Sequence, residues 1–260
     1  MELLGYVAAI MMGLSLGLIG GGGSILTVPI LVYLFSVNPL LATSYSLFIV
    51  GATALVGSFL AYKKNDVDLK IALRFAVPSF IGVYTMKMIV LPLIPENIIS
   101  IQNFYLTKNL LVMIVFAVLM IIASFAMIKG KMKSEQNSNN LKITIQGFFV
   151  GSVTGFVGAG GGFLIVPALV NLLGLTMRSA IGTSLTIISL NSLFGFGLSI
   201  YQGLHVNWLI ILYVLSAALA GLIIGSYYSK KIDEKHLKKG FGYFVLVMGT
   251  IILVDQIAKM

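Results

Sequence analysis

Of 260 residues, 58% are hydrophobic and only 10% are charged, with a mean hydropathy of +1.04. Soluble domains hold roughly 45–50% apolar residues, so this composition excludes an ordinary soluble globule and points into a membrane. The net charge of +9 comes from Lys and Arg in short loops between apolar runs, a pattern that orients membrane helices and excludes a basic face built for nucleic acid.

Met1-Glu2-Leu3-Leu4 places no basic residue ahead of the first apolar run, so no cleaved signal peptide is expected. Apolar segments are expected near 2–20, 25–36, 40–62, 70–91 and 109–128, then near 143–160, 163–175, 179–201, 207–229 and 240–258. Those of about 20 residues suffice to cross roughly 30 Å of hydrocarbon as helices. The first ends in four glycines, Gly20 to Gly23, within GLIGGGGSILTVP. The second runs about 12 residues from Ile25 to Ser36, which at 1.5 Å per residue covers under ~20 Å and cannot cross as a straight helix. The fourth contains Pro78, expected to kink it, and Arg74 and Lys87, the basic residues placed inside a span. Snorkelling to the nearer interface suits both; the alternative is a charge that draws an anion into a vestibule. After the fifth, Lys129-Gly-Lys-Met-Lys-Ser-Glu-Gln-Asn-Ser-Asn-Asn140 is polar, basic and aperiodic, and reads as a flexible linker.

The second set repeats the first. A shift of 138 residues superposes 13–57 on 151–195 with 17 identities in 45 ungapped positions, where composition alone gives about four. Gly13, Gly17, Gly20, Gly22, Gly23, Pro29, Ser46 and Gly57 fall on Gly151, Gly155, Gly158, Gly160, Gly161, Pro167, Ser184 and Gly195. Beyond Gly57 a one-residue gap places Val67-Asp-Leu69 on Val206-Asn-Trp208. Five segments per repeat is odd, so the second copy enters the membrane in the opposite sense. With Lys63, Lys64, Lys70 and Arg74 cytoplasmic, alternation leaves only Lys87, Lys108 and Lys259 of the 17 Lys and Arg outside. The expected architecture is an all-α integral membrane protein of two inverted-topology repeats, with both termini outside. The repeats are 1–128 and 143–260, joined by a cytoplasmic basic linker, 129–142, and short broken or re-entrant half-helices follow the glycine runs.

Backbone that leaves helical geometry inside lipid is tolerated only where protein buries it or where it lines a polar cavity. Gly20–Gly23 and Gly158–Gly162 make that departure at equivalent places, and short glycine-interrupted segments in two halves mark a transporter's substrate site. Pro29 and Pro167 are expected in the first turn of the half-helices, whose free N–H groups and dipole favour an anion. Gly13-x-x-x-Gly17 and Gly151-x-x-x-Gly155 read instead as helix-packing motifs. The candidate binding residues are therefore Gly21, Gly22, Gly23 and Ser24 with Gly160, Gly161 and Gly162, completed by Ser46, Thr53, Thr183, Ser184 and Asn191. Interhelical hydrogen bonding competes as an explanation for each hydroxyl and for the amide.

Other chemistry is poorly supplied. The eight acids, Glu2, Asp66, Asp68, Glu96, Glu135, Asp233, Glu234 and Asp255, fall in loops or at segment ends, so no intramembrane carboxylate relay is expected. His205 and His236 read as solvated. With no cysteine in the chain, disulfides, thiolate metal sites and cysteine nucleophiles are excluded. The glycine runs lack the Lys of a phosphate-binding loop and the strand-helix setting of a dinucleotide site. No cofactor, metal or catalytic residue is expected.

The paired motifs GLIGGGGSILTVPIL and GFVGAGGGFLIVPAL, with ATSYSL and AIGTSL downstream, resemble the TauE/SafE family of sulfite exporters and related anion permeases over essentially the whole chain. The first copy departs from Gly-Thr-Ser, having Ser44-Tyr45-Ser46 where the second has Gly182-Thr183-Ser184. The resemblance implies a multi-pass protein of a bacterial or archaeal cytoplasmic membrane. Its expected cargo is sulfite, thiosulfate, sulfoacetate, a sulfonate or a related organic anion. The expectation is a secondary transporter working by alternating access, with an anion channel or a membrane substrate sensor as alternatives and an intramembrane enzyme disfavoured. Direction, a coupling ion such as H+ or Na+, and a homodimer stay open.

Overall fold

The computed structural model describes residues 2–21, 23–101, 104–129, 140–157, 162, 165–166, 169–170, 174–229 and 234–258. It is almost wholly helical. Helix α1 covers Glu2–Ile19, α2 covers Ser24–Pro29 and continues as a π-turn through Ile30–Leu34, and α3 covers Pro39–Tyr62. Helix α4 covers Leu69–Tyr84 and runs on through a π-turn at Thr85–Val90 into Leu91–Leu93. Strands β1 (Asn97–Ile101) and β2 (Phe104–Thr107) pair antiparallel, Ile101 opposite Phe104. Then come α5 (Lys108–Lys129), α6 (Asn140–Val157), α7 (Met177–Tyr201), α8 (Trp208–Tyr228) and α9 (Glu234–Ala258).

Helix starts are set by side-chain caps at matching places in the two halves. Asn38 accepts from Leu40 N–H ahead of α3, and Thr176 accepts from Ser179 N–H ahead of α7. Asp68 accepts from Ile71 N–H ahead of α4, and Asn207 accepts from Ile210 N–H ahead of α8. Each cap satisfies one of the donors that a helix leaves orphaned at its start.

Packing joins the halves instead of separating them. Helix α1 lies along α8, α4 along α6, α3 along α7 and α5 along α9. Exchanging α1 for α6, α3 for α7, α4 for α8 and α5 for α9 returns the same list of pairs. At the α1–α8 contact a Cβ on Gly13 would strike the Ala218 carbonyl, and one on Gly221 would strike the Ile10 carbonyl. The α4–α6 contact repeats this with Gly151 against the Ser79 carbonyl and Gly82 against the Phe148 carbonyl. The Gly-x-x-x-Gly pairs are thus packing surfaces, bringing backbones close where lipid offers no hydrophobic driving force. Around them the core is apolar, with Met12, Ile25, Ile49, Phe116 and Val214 in one cluster and Leu16, Val50, Phe75, Ile187 and Leu222 in another.

Outward faces are equally apolar: Leu73, Val77 and Ile81 of α4 and Leu209, Leu212 and Ile223 of α8 are exposed. In water such patches would be unusual, but four helices, Pro39–Tyr62, Leu69–Leu93, Met177–Tyr201 and Trp208–Tyr228, are long and apolar enough to cross a bilayer. These exposed faces are where lipid belongs.

One expectation needs correction, and one pair of elements was not foreseen. Pro29 is the sixth residue of α2, not in its first turn, because the helix already starts at Ser24; the wider π-turn that follows accommodates a ring with no N–H to give. Asp255 lies in the last turn of α9, at a segment end as expected, and its Oδ2 accepts from the Tyr33 hydroxyl at 2.9 Å. The β1–β2 pair was not foreseen, although Ile98, Ile99, Ile101, Phe104 and Tyr105 are strand-forming residues. Pro167 and the linker residues 130–139 lie outside the described residues.

Candidate functional site

Gly20 turns the chain out of α1. Its N–H donates to the Leu16 carbonyl at 2.8 Å, and its φ of +78° is a conformation that other residues adopt only under strain. A Cβ there would meet Ile181 of α7. One residue on, the two glycine runs touch: a Cβ on Gly21 would fall on the Gly162 carbonyl, and one on Gly162 would lie 2.8 Å from the Gly21 Cα and against Ile188. Glycine is required on both sides of this contact because backbone packs against backbone. Gly23 is the N-cap of α2 and also admits no side chain, since Met12 and Leu16 occupy the space. The first turn of α2, from Ser24, presents the N–H groups that have no partner within the helix. Gly22, Gly160 and Gly161 lie outside the described residues, as does the Ser24 side chain.

The polar candidates are distributed along the antiparallel α3–α7 pair. Ser44 Oγ meets Ser199 Oγ at 3.1 Å and Ser58 Oγ meets Thr186 Oγ1 at 2.6 Å. This register puts Ser184 level with residues 59–60, roughly 20 Å along the pair from Ser46 at 1.5 Å per residue. Ser46 and Ser184 therefore do not share one small ligand in this conformation. Thr53 and Asn191 lie near the crossing, and Asn191 stands three residues beyond Ile188, on the α7 face that Gly162 abuts.

Their hydroxyls and amide are used unequally. The Ser184 hydroxyl donates to the Gly20 carbonyl at 2.9 Å, with the Ile181 carbonyl at 2.8 Å as its other acceptor. Thr53 donates to the Ile49 carbonyl of its own helix at 2.6 Å. Asn191 Nδ2 donates to Ser79 Oγ of α4 at 2.6 Å. Ser46 Oγ, Thr27 Oγ1, Ser192 Oγ and Asn191 Oδ1 are buried with no hydrogen-bond partner among the described residues. Buried polar atoms without partners cost about 1–3 kcal/mol each, and a binding site is one reason for a fold to hold them.

The departure of Ser44-Tyr45-Ser46 from Gly182-Thr183-Ser184 has a local cause. Thr183 Oγ1 accepts from Asp68 N–H at 2.9 Å; at the matching place the longer Tyr45 reaches Asn207 N–H at 2.9 Å and donates to the His205 carbonyl. Both tie the loop that precedes the next helix. A Cβ on Gly182 would strike the Asp66 carbonyl, whereas Ser44 has room for a hydroxyl and uses it toward Ser199 and Lys87.

A cavity enters between α1, α3, α7 and α8 from the end that carries Lys64, Asp66 and Arg178. Its wall reaches Leu18 and Ile181 beside Gly20. Lys87 is not at an interface as snorkelling required. It is 5% exposed, and its Nζ donates to the hydroxyls of Ser44 and Ser199. Arg74, by contrast, is exposed. The signal that Lys87 differs was its position more than a dozen residues into an apolar segment, on a turn whose π-geometry no periodicity reveals.

These elements define a multi-pass α-helical membrane protein in which the turn at Gly20 and Gly21 packs against Gly162 of the second glycine run. The chain matches the model of the sulfite exporter TauE/SafE family from residue 6 to residue 252, and it belongs to that family. It is 28% identical over 255 residues to a probable membrane transporter protein of Xylella fastidiosa, covering 94% of this chain and 91% of that one. It is 27% identical over 282 residues to the probable membrane transporter protein YunE of Bacillus subtilis, covering 98% and 99%. A second protein of that organism, the probable membrane transporter protein YdhB, is 26% identical over 251 residues, covering 94% and 96%. No solved structure matches the chain.

Proposed function

We propose that the protein is a secondary transporter that moves a small anion across the cytoplasmic membrane by alternating access. Its cargo is sulfite, thiosulfate, sulfoacetate, a sulfonate or a related organic anion. The repeats 1–128 and 143–260 are inverted with respect to each other in this reading, and the Lys64–Arg178 end is cytoplasmic. One observation carries it. At that end Ala61, Lys64, Gly182 and Ser226 line a cavity, bridged only by Lys64 Nζ donating to Ser226 Oγ at 3.3 Å among the hydrogen bonds of the described residues; their counterparts at the other end, Ser199, Gln202, Ser44 and Lys87, are all joined by hydrogen bonds. In this reading a scaffold whose helix pairs map onto themselves holds a cavity at one end and a more fully bonded cluster at the other. Exchanging the two conditions would carry a ligand from one face to the other.

The anion is held where the glycine runs meet, by backbone N–H groups of Gly21 to Ser24 and of Gly160 to Gly162. Thr53 and Asn191 stand beside that contact, and Ser46, Thr183 and Ser184 line the two approaches. Family membership supports transport and a sulfur oxyanion as cargo, and the similarity to probable membrane transporters supports transport.

The test is flux of radiolabelled sulfite and sulfoacetate into proteoliposomes. The expected result is saturable uptake, accelerated by the same anion preloaded on the far side, with no single-channel current. Unsaturable flux with unitary currents would make the protein a channel, and saturating binding without any flux would make it a sensor.

A further inference from the structure

Lys87 occupies a place that the transport cycle above does not yet use. Its side chain, 5% exposed, lies within a membrane-spanning helix, Leu69–Leu93, on the π-turn Thr85–Val90. Turns of this kind recur at functional sites. None of its hydrogen-bond partners is a carboxylate: Nζ donates to Ser44 Oγ at 3.3 Å and to Ser199 Oγ, and the Lys87 carbonyl accepts from Gln202 Nε2 at 2.8 Å. Ser199 also donates to the Gly195 carbonyl at 3.1 Å, and the two serine oxygens lie 3.1 Å apart. An ammonium taken out of water loses several kcal/mol of solvation, and neutral hydroxyls return only part of it. Intramembrane cations are normally matched by an opposite charge or serve a pathway for ions or substrates. Among the described residues, the side chains hydrogen-bonded to the ammonium are two neutral hydroxyls and supply no countercharge.

The repeat says where Lys87 sits in the cycle. Its counterpart 139 residues on is Ser226, and the counterparts of Ser44 and Ser199 are Gly182 and Ala61; all three line the open cavity at the cytoplasmic end. The group Lys87–Ser44–Ser199 is therefore the lining of the matching outer cavity in its closed condition. The cytoplasmic version is small at these places, with one hydroxyl; the outer version carries an ammonium and two hydroxyls.

We propose that Lys87, Ser44 and Ser199 form an anion-binding site on the outer face of the protein. When that face opens, the ammonium and the two hydroxyls are released from one another and receive a small oxyanion with at least two terminal oxygens, one taking the charge-assisted bond from Lys87. This site rests on the alternating-access reading and deepens it. The anion supplies the countercharge, so occupancy of the outer site depends on Lys87, whereas the cations of the cytoplasmic cavity are Lys64, whose Nζ reaches Ser226 Oγ at 3.3 Å, and Arg178, with Asp66 beside them.

The experiment uses the full-length protein in proteoliposomes of uniform orientation, with sulfite and sulfoacetate as probes in anion exchange measured from each face. Lys87→Met is expected to raise the half-saturating concentration at the outer face at least tenfold and to leave that at the cytoplasmic face within twofold; Lys87→Arg is expected to keep the wild-type value. Because the chain contains no cysteine, Lys87→Cys supplies a unique thiol for use should Lys87→Met fold poorly. Treating it with 2-aminoethyl methanethiosulfonate restores an ammonium, and outer-face affinity is expected to return with the charge. Equal outer-face affinity in Lys87→Met and wild type, or no recovery after treatment of Lys87→Cys, overturns the site while wild-type exchange leaves the transport reading standing. Absence of exchange and of anion-dependent thermal stabilisation in the wild type overturns both.

Discussion

Two serines at matching positions separate structure from ligand at the residue scale. The Ser184 hydroxyl has the Gly20 and Ile181 carbonyls as acceptors and so ties α7 to the point where α1 breaks. Removing it leaves a buried carbonyl short of a donor, a loss of about 1 kcal/mol, which lowers the melting temperature by roughly 2–4 °C in a domain of this size. Ser46 Oγ is equally buried but has no partner among the described residues, so its deletion costs the fold little. Thermal unfolding in detergent with and without sulfite or sulfoacetate distinguishes them. Ser184→Ala is expected to melt lower, whereas Ser46→Ala melts like the wild type and gains less stabilisation from the anion, since a ligand stabilises only in proportion to its affinity. A Ser46→Ala variant that melts low and responds fully to the anion would make this hydroxyl structural. Sequence alone ranked the two serines together, because identical residues in matching copies look alike until their neighbours are known.

Helix contacts belong to the next scale, and there the glycines fall into two classes. Gly82 and Gly221 face the backbone carbonyls of Phe148 and Ile10, which cannot swing aside as a side chain would. Overpacking a well-fitted contact costs typically 1–3 kcal/mol even where side chains can yield. Gly82→Leu and Gly221→Leu are therefore each expected to destabilise by about 3 kcal/mol or more, read as loss of folded protein on heating in detergent. Gly197, within α7, has nothing near the position of an added Cβ. Gly197→Ala is expected to be neutral or to stabilise by up to about 1 kcal/mol, through the helix propensity that glycine lacks. Unchanged stability in Gly82→Leu and Gly221→Leu would mean that the two helix pairs do not hold the fold together. Element boundaries were legible in the sequence to within a few residues, since bilayer thickness fixes how long an apolar run must be and turn residues mark its ends. The π-turns of α2 and α4 were not, because one extra residue in a turn depends on local packing and leaves no trace in composition. Pro29 was placed in the wrong turn because α2 already starts at Ser24, and Lys87, which lies on the second π-turn, was assigned to an interface.

At the scale of the whole molecule, the repeat visible in the sequence becomes an exchange of helix partners between halves, while open and closed ends belong to one conformation and not to the sequence. The glycine runs were legible as a pair, and their mutual contact through Gly21 and Gly162 was not. If the two ends interchange during transport, the closed end must open, and Ser44 and Ser199, whose oxygens are 3.1 Å apart, must separate. Their proximity suits a disulfide, whose Cβ atoms need to lie about 3.5–4.5 Å apart, and a cysteine-free chain leaves no competing thiol. The double variant Ser44→Cys/Ser199→Cys is expected to exchange sulfite or sulfoacetate when reduced, at weakened outer-face affinity. It is expected to lose at least nine-tenths of that exchange on oxidation and to recover it with reductant. Binding from the cytoplasmic face should survive oxidation, because the cavity beside Lys64 and Arg178 is on the unlinked side. Exchange that continues at the reduced rate after complete cross-linking would show that anions pass without this end opening, which a channel permits and alternating access does not.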